Sequence, residues 1–205
     1  MKLIQKKVKK NVKKIRKMKV ENVSAAILAG GSSKRMGMKK AELKLGDQTL
    51  LEITVQKLQK MGIKDIMISG YDEAVPGTRA VKDIYTGKGP IAGVHASLKA
   101  AEKPACLIVG VDTPFLPAEV LTGLIEAHEG PATVLKTSEH IEPLIAVYDA
   151  DLAARAEELI QKDDWSLQRM TNNPEVKKVE FTGDPDLLLN CNTPEDYEKA
   201  KTLWK

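Results

Sequence analysis

Aromatic side chains are scarce in this chain. Phe, Tyr and Trp together make up 4% of its 205 residues, so a core must be packed from aliphatic side chains. Cysteine is scarcer still: Cys106 and Cys191 stand far apart, each in apolar surroundings. That pattern excludes a disulfide framework and a cysteine metal cluster, and it fits a reducing, cytoplasmic setting. The histidines His95, His128 and His140 are scattered without ligand spacing, which argues against a zinc site. No apolar run approaches the roughly eighteen residues of a membrane span. The first residues lack a continuous apolar core with a small-residue cleavage site, so they do not read as a signal peptide.

Charge is plentiful but unevenly placed. The formal net charge is +4, yet residues 1–20 hold ten Lys or Arg and no acid, leaving 22 basic against 28 acidic groups in residues 21–205. A mildly acidic body therefore carries a basic leader. Within the leader, Leu3, Ile4, Val8, Val12 and Ile15 approximate one side of a helix whose other sides are basic. Three readings stand: a solvated arm, a helix laid against the domain or a partner, and a contact with nucleic acid or acidic lipid. The last is the weakest, because nothing in the acidic body extends a basic patch, and no nucleic-acid partner is expected. The length suits one α/β domain, residues 21–205, with residues 1–20 as an appendage.

Strand and helix patterns alternate along the body. Strands are expected at Val23–Ala29, Ile66–Ser69, around Arg79–Lys82, at Ala105–Gly110, Ala132–Thr137, Ile141–Tyr148 and Val176–Phe181, the last near an edge because lysines interrupt it. Helices are expected over Thr49–Met61, closed by Gly62, and over Pro90–Ala101, Pro117–Glu126 and Ala150–Lys162. A terminal helix is capped by Thr193, with Pro194 first and Glu195 and Asp196 in its first turn. Residues 163–173 read as polar, with Trp165 and Leu167 embedded. The alternation predicts a three-layer α/β/α sandwich, Rossmann-like, around a mostly parallel sheet. The Ala132–Tyr148 pair is where antiparallel strands would make that sheet mixed.

The most informative stretch runs from Val23 to Lys40, VSAAILAGGSSKRMGMKK. An apolar run broken by Ser24 meets Gly30-Gly31, then Ser32, Ser33, Lys34, Arg35, Gly37 and Lys39-Lys40. This reads as a buried strand feeding a tight, backbone-rich turn. Glycines let the chain approach an anion closely and present its N–H groups, while Arg35 and Lys40 add the charge a phosphate chain needs. The inference is a phosphate-binding loop at the carboxyl end of the first strand, where such sheets place ligands. On spacing alone, an ordinary solvated Gly-Gly turn stands beside it. No G-K-[ST] triplet closes the loop as in ATPases, and too few glycines follow for a dinucleotide fingerprint.

The string LAGGSSKRMG followed by Lys40 closely resembles the signature of the MobA-like nucleotidyltransferases, the molybdenum cofactor guanylyltransferases in particular. Leu28, Ala29, Gly30, Gly31, Arg35, Met36, Gly37 and Lys40 meet its fixed positions. VDTPFLP resembles the family's Asp-Thr-Pro-Phe motif, whose aspartate, here Asp112, coordinates magnesium; alone, Asp112 reads equally as a turn cap before Thr113-Pro114. Asp83 with Gly89 to Gly93 resembles an aspartate near the nucleoside followed by Gly-Pro-Leu-Ala-Gly, with Ile91 in place of leucine. Asn190 and Asn192 with Thr193-Pro194-Glu195 resemble the family's Asn-x-Asn-Thr-Pro-Glu motif, close to the reaction site. More loosely, Glu142-Pro143-Leu144 and the region of Trp165 to Met170 resemble the approach of the acceptor, making Pro143 and Arg169 candidate acceptor contacts.

Two departures stand out. The histidine-containing approach is Glu139-His140-Ile141-Glu142 rather than an arrangement ending in proline and a small polar residue, and Ser69 occupies the place where the guanylyltransferases often carry asparagine. Leu-Ala-Gly-Gly favours guanylyl over cytidylyl transfer.

The resemblance covers about Val23 to the carboxyl terminus. It implies a fold of the nucleotide-diphospho-sugar transferase type and transfer of guanylyl from GTP to molybdopterin with Mg2+ as cofactor. Leu28 to Ser33, Arg35, Lys40, Ser69, Asp83, Gly89 and Asp112 would bind nucleotide, and Arg35, Lys40, Asn190 and Asn192 would carry catalysis. Molybdoenzymes or cofactor-biosynthesis proteins would be its protein partners. A relative using CTP or another phosphorylated acceptor, and a nucleotide-binding regulatory protein, are the alternatives.

Overall fold

The computed structural model of the protein describes residues 17–30, 39–73 and 75–204. Its first strand, β1 (Val23–Leu28), is buried along its whole length, as an apolar run covered on both faces must be. A short hairpin follows, β2 (Lys44–Leu45) against β3 (Gln48–Thr49), leading directly into helix α1 (Leu50–Lys60). Thr49 and Glu52 form a capping box at the start of α1. At its end the Gly62 and Ile63 N–H groups return to the Gln59 and Leu58 carbonyls at 2.9 and 3.3 Å, satisfying the last turn.

The chain continues through β4 (Ile66–Ser69), β5 (Arg79–Val81), α2 (Pro90–Ala100), β6 (Ala105–Gly110) and α3 (Ala118–Ala127). Then come β7 (Ala132–Lys136), β8 (Ile141–Asp149), α4 (Leu152–Gln161), the short α5 (Leu167–Thr171), β9 (Lys177–Glu180) and α6 (Pro194–Leu203). Thr193 caps α6 through a second capping box with Asp196.

Seven strands form one sheet in the order β5-β4-β1-β6-β8-β7-β9. The pairs β5–β4, β4–β1, β1–β6 and β7–β9 are parallel, whereas β8 runs antiparallel to both β6 and β7. The sheet is thus mixed, as expected, and β9 lies at its edge with Lys177 and Lys178 interrupting the apolar pattern. On one face Ala25 and Ile27 pack with Leu50, Ile53 and Leu58 of α1, Leu121 and Leu124 of α3, and Ala200 of α6. On the other, Ala26 and Leu28 pack with Ile91, Val94 and Leu98 of α2, Ala156 and Leu159 of α4, and Met170 of α5. Helices on both faces of one mostly parallel sheet give the three-layer architecture.

Two elements depart from the sequence expectation. Residues 167–171 form a helix, and the β2–β3 hairpin precedes α1. Of the leader, residues 1–16 lie outside the described residues; Lys17 pairs with Glu126 at 2.8 Å, and Met18 and Val20 pack on the core.

Candidate active site

The order of strands dictates where a ligand can sit. From β1 the chain reaches β4 on one side and β6 on the other, so the loops leaving β1 and β6 diverge and leave a crevice at the carboxyl ends of the strands. A cavity of about 350 Å³ lies there, lined among others by Leu28, Gly30, Lys40, Ser69, Asp83 and Asp112. That volume is in the ordinary range for small-molecule sites.

Each side is set by its own element. Leu28 ends β1, Gly30 lies two residues beyond it, and Ser69 ends β4. The Ala29 N–H donates to the Ser69 carbonyl at 2.9 Å, holding these two ends together. They can approach because Gly70 follows: a Cβ there would stand 2.3 Å from the Gly30 Cα. The Ser69 hydroxyl donates to Asp83 Oδ1 at 3.1 Å, joining strand end to loop. Gly89 and Pro90 bring the start of α2 to the wall. Gly93, one turn further, leaves the Ser69 hydroxyl room, since a Cβ at 93 would lie 2.7 Å from Ser69 Oγ. Because β8 is antiparallel, its first half meets the carboxyl end of β6, and Leu144 joins the lining.

Asp112 stands just beyond β6. Its carboxylate lies over Gly110, where any Cβ would come within 2.6 Å of Asp112 Oδ1. Asp112 Oδ2 accepts from Lys40 Nζ at 2.9 Å, and the same ammonium also donates to Asn192 Oδ1. The Asn190–Asn192 segment is brought here by its backbone: the Cys191 N–H donates to the Asp112 carbonyl at 2.9 Å, and Asp196 of α6 accepts from the Asn192 N–H at 3.2 Å. Burial, with help from Asp112 and Asp196, pushes the Cys191 thiol up to about 11, so it is neutral and no nucleophile at physiological pH.

Leu28, Gly30, Lys40, Ser69, Asp83, Gly89 and Asp112 therefore surround one cavity, and Asn192 touches it through Lys40. Ala29 is buried behind the wall. Asn190 is partly buried, its side-chain amide donating to the Leu188 carbonyl at 3.2 Å. Gly31, Ser32, Ser33 and Arg35 lie outside the described residues. Pro143 adjoins Leu144 at an irregularity in strand pairing, where Val134 faces Ala146 but Leu135 faces Glu142. A proline, which lacks a donor, is tolerated at such a bulge, and its carbonyl accepts from the Tyr148 hydroxyl at 2.8 Å. Arg169 is not on the cavity: it pairs with Asp164 at 2.6 Å in a separate shallow depression beside Trp165.

The sequence reading placed Leu144 only within the Glu142-Pro143-Leu144 motif, singling out Pro143, and gave no role to Lys57. Leu144 has no chemical signature and lines the cavity only because β8 reverses. Lys57 could have been noticed as a lysine on the apolar side of α1, four residues after Ile53 and three after Thr54.

Among the described residues no group of three or more His, Cys, Asp or Glu side chains could hold a metal by itself. A single carboxylate such as Asp112, on the cavity wall, still fits Mg2+, which commonly takes one or two carboxylates and completes its shell with water and substrate phosphates. The other strongly engaged carboxylate, Asp65, belongs to the opposite end of the sheet. Burial opposes its ionisation, but hydrogen bonds from Arg79, Ser24 and the Glu102 N–H outweigh that and hold its pKa low. It ties β1 to β5 and has no part in the cavity. No helix among the described residues is long and apolar enough to cross a membrane.

A family model for the MobA-like NTP transferase domain matches residues 25–177. The probable molybdenum cofactor guanylyltransferase of Carboxydothermus hydrogenoformans is 34% identical over 193 residues, spanning 90% of this chain and 98% of that protein. The probable molybdenum cofactor guanylyltransferase of Pelotomaculum thermopropionicum is 31% identical over 189 residues, 88% of this chain and 92% of the relative. Among solved structures, molybdopterin-guanine dinucleotide biosynthesis protein A from Archaeoglobus fulgidus superposes with a TM-score of 0.75 at 26% identity, covering 88% of this chain and 97% of the other.

Proposed function

Because the chain belongs to the MobA-like NTP transferase family, we propose that it is a Mg2+-dependent guanylyltransferase, transferring guanylyl from GTP to the terminal phosphate of molybdopterin. The observation that carries this reading is the convergence of the ends of β1, β4 and β6 on one cavity, with Lys40 and Asp112 in contact across it. Relatives named as molybdenum cofactor guanylyltransferases, matched over nearly their whole length, support the choice of donor and acceptor.

The reaction asks little of acid–base groups. A phosphate oxygen of the acceptor, already anionic, forms a bond to the α-phosphorus of GTP. The bond between the α- and β-phosphates breaks, and pyrophosphate leaves with the electron pair. What is required is alignment and charge compensation as two anions approach. Gly30 to Ser33 with Arg35 would present main-chain N–H groups and a guanidinium to the triphosphate. Lys40, released from Asp112, would follow the charge onto the departing pyrophosphate. Asp112 would hold Mg2+, which supplies Lewis-acid polarisation of the phosphoryl oxygens when bound. Asn190 and Asn192 would orient phosphates without adding negative charge. Ser69 and Asp83 sit where the nucleoside would lie, and a carboxylate can accept from the donor edge of guanine.

The test is incubation with labelled GTP or CTP, Mg2+ and molybdopterin, following pyrophosphate release and dinucleotide product. GTP should be consumed and CTP should compete poorly. Efficient use of CTP would overturn the choice of base, and the absence of product with either nucleotide would overturn the reading as a whole. D112N should lose turnover while keeping its fold; an active D112N would remove Asp112 from its metal role.

A further inference from the structure

Behind the Asp112 corner lies an ammonium group that the proposed chemistry does not use. Lys57 is half-buried on α1, one helical turn after the buried Ile53 and Thr54 and preceding the buried Leu58. Its Nζ donates to the Pro114 carbonyl at 2.9 Å, a bond between residues 57 positions apart. Burial alone pulls its pKa down to about 8, with no charged neighbour contributing to that shift. A lysine held this way gives up hydration of its charge and regains one bond to a neutral acceptor, a poor exchange for stability.

The corner explains what the exchange secures. The Val111 N–H donates to the Leu28 carbonyl at 3.1 Å, and the Asp112 carbonyl accepts from the Cys191 N–H at 2.9 Å. The Thr113 hydroxyl donates to the Gly110 carbonyl at 3.2 Å. Pro114 has no N–H, so its carbonyl is its one backbone polar group, and Lys57 takes it. Each residue of the corner is thus pinned separately, and the last pin comes from a helix outside the cavity. With proline's fixed φ, holding that carbonyl fixes the far end of the corner, two residues beyond Asp112.

We propose that Lys57 is a positioning residue, which anchors the Val111–Pro114 corner through the Pro114 carbonyl and so sets where the Asp112 carboxylate stands for a divalent ion. This rests on the reading of Asp112 as the metal-holding carboxylate.

The experiment is an electron paramagnetic resonance titration of Mn2+ into the full-length protein with GTP and no acceptor. In K57M the half-saturating Mn2+ concentration should rise about tenfold, as when an outer-shell partner of a metal ligand is lost. The melting temperature should stay within about 3 °C of wild type, because the lost bond and the relieved burial of charge oppose each other. K57R, which keeps a donor, should return Mn2+ binding to within about threefold of wild type. If K57M does not fold, K57Q replaces it, its shorter amide falling short of the carbonyl. Wild-type Mn2+ binding in K57M, or an equal shift in K57M and K57R, would overturn the inference. D112N titrated alongside separates the two claims: unchanged Mn2+ binding in D112N would overturn the Asp112 reading itself.

Discussion

Lys40 Nζ lies 2.9 Å from Asp112 Oδ2, so the cation from the first loop and the carboxylate from the β6 corner neutralise each other across the cavity. The two side chains are only 19% and 21% exposed, which leaves solvent little room to screen the pair. A divalent ion arriving at Asp112 must compete with this ammonium, and a triphosphate gives the ammonium somewhere else to go.

Metal and nucleotide should therefore bind cooperatively, and Lys40 should be the reason. In K40M without nucleotide, Mn2+ should bind about tenfold more tightly than in wild type, because an adjacent positive charge has gone. In the same variant GTP should bind more weakly and the gain in Mn2+ affinity on adding GTP should shrink, as reciprocity of coupling requires. Paramagnetic titration with and without GTP reads both effects. Equal Mn2+ affinity in K40M and wild type would mean that the ion does not meet Lys40 at Asp112.

Close approach of two strand ends makes Gly70 a sharper test of the cavity than most lining residues. Its φ of +79° is costly for any other residue, and a Cβ would stand 2.3 and 2.5 Å from the Gly30 Cα and N. G70A should lose about 2–4 kcal/mol of stability and more than tenfold in nucleotide affinity, since Gly30 must shift. Gly87 is the control: its φ of +72° is similar, but a Cβ there meets nothing within 4 Å. G87A should cost only about 1 kcal/mol and leave nucleotide binding intact. Denaturant unfolding and calorimetric titration compare the two, and matching losses in both would refer the effect to backbone strain alone.

Much of this arrangement is legible in the chain because it is local. The run from Val23 to Ala29, the Thr193 cap and the proline opening α2 each declare themselves within a few residues. The motif residues Gly30, Asp83 and Asp112 sit at strand ends, so a correct reading of strands brings their loops to one edge. What local pattern does not carry is pairing between distant segments. Residues 167–171 are too few to show a helical period, and they form a helix whose Leu167 and Met170 are buried in the core. The β2–β3 strands are two residues each, too short for alternation to register. Leu144 and Lys57 matter for where the fold carries them, Leu144 by the reversal of β8 and Lys57 by the meeting of α1 with the β6 corner.

Ser69 departs from the asparagine often seen at this position among the guanylyltransferases, and its contact suggests how it would serve. Donating to Asp83 at 3.1 Å, it orients a carboxylate toward the place proposed for the base. S69A should raise KM for GTP about tenfold, the scale of one hydrogen bond to a charged group, with kcat nearly unchanged because the contact persists through the reaction. Steady-state kinetics with varied GTP decides it; a fall in kcat at constant KM would move Ser69 from holding the nucleoside to the chemistry.

The burial of Lys57 also predicts how stability responds to alkali. The folded protein releases this proton near pH 8, whereas an unfolded chain keeps it to an ordinary lysine value near 10.5. Between those limits the unfolded state binds more protons, so stability attributable to Lys57 rises with pH across the window. Below pH 8 both states hold the proton and the penalty for burying the ammonium is present in full. Above about 10.5 it has been relieved, a change of about 3 kcal/mol from the separation of the two values. Other lysines and tyrosines titrate in the same range, so the quantity to follow is the difference in unfolding free energy between wild type and K57M at pH 7.5, 9 and 10. That difference should move steadily in favour of wild type as pH rises; a flat difference would mean that the ammonium is solvated and that burial does not govern its proton.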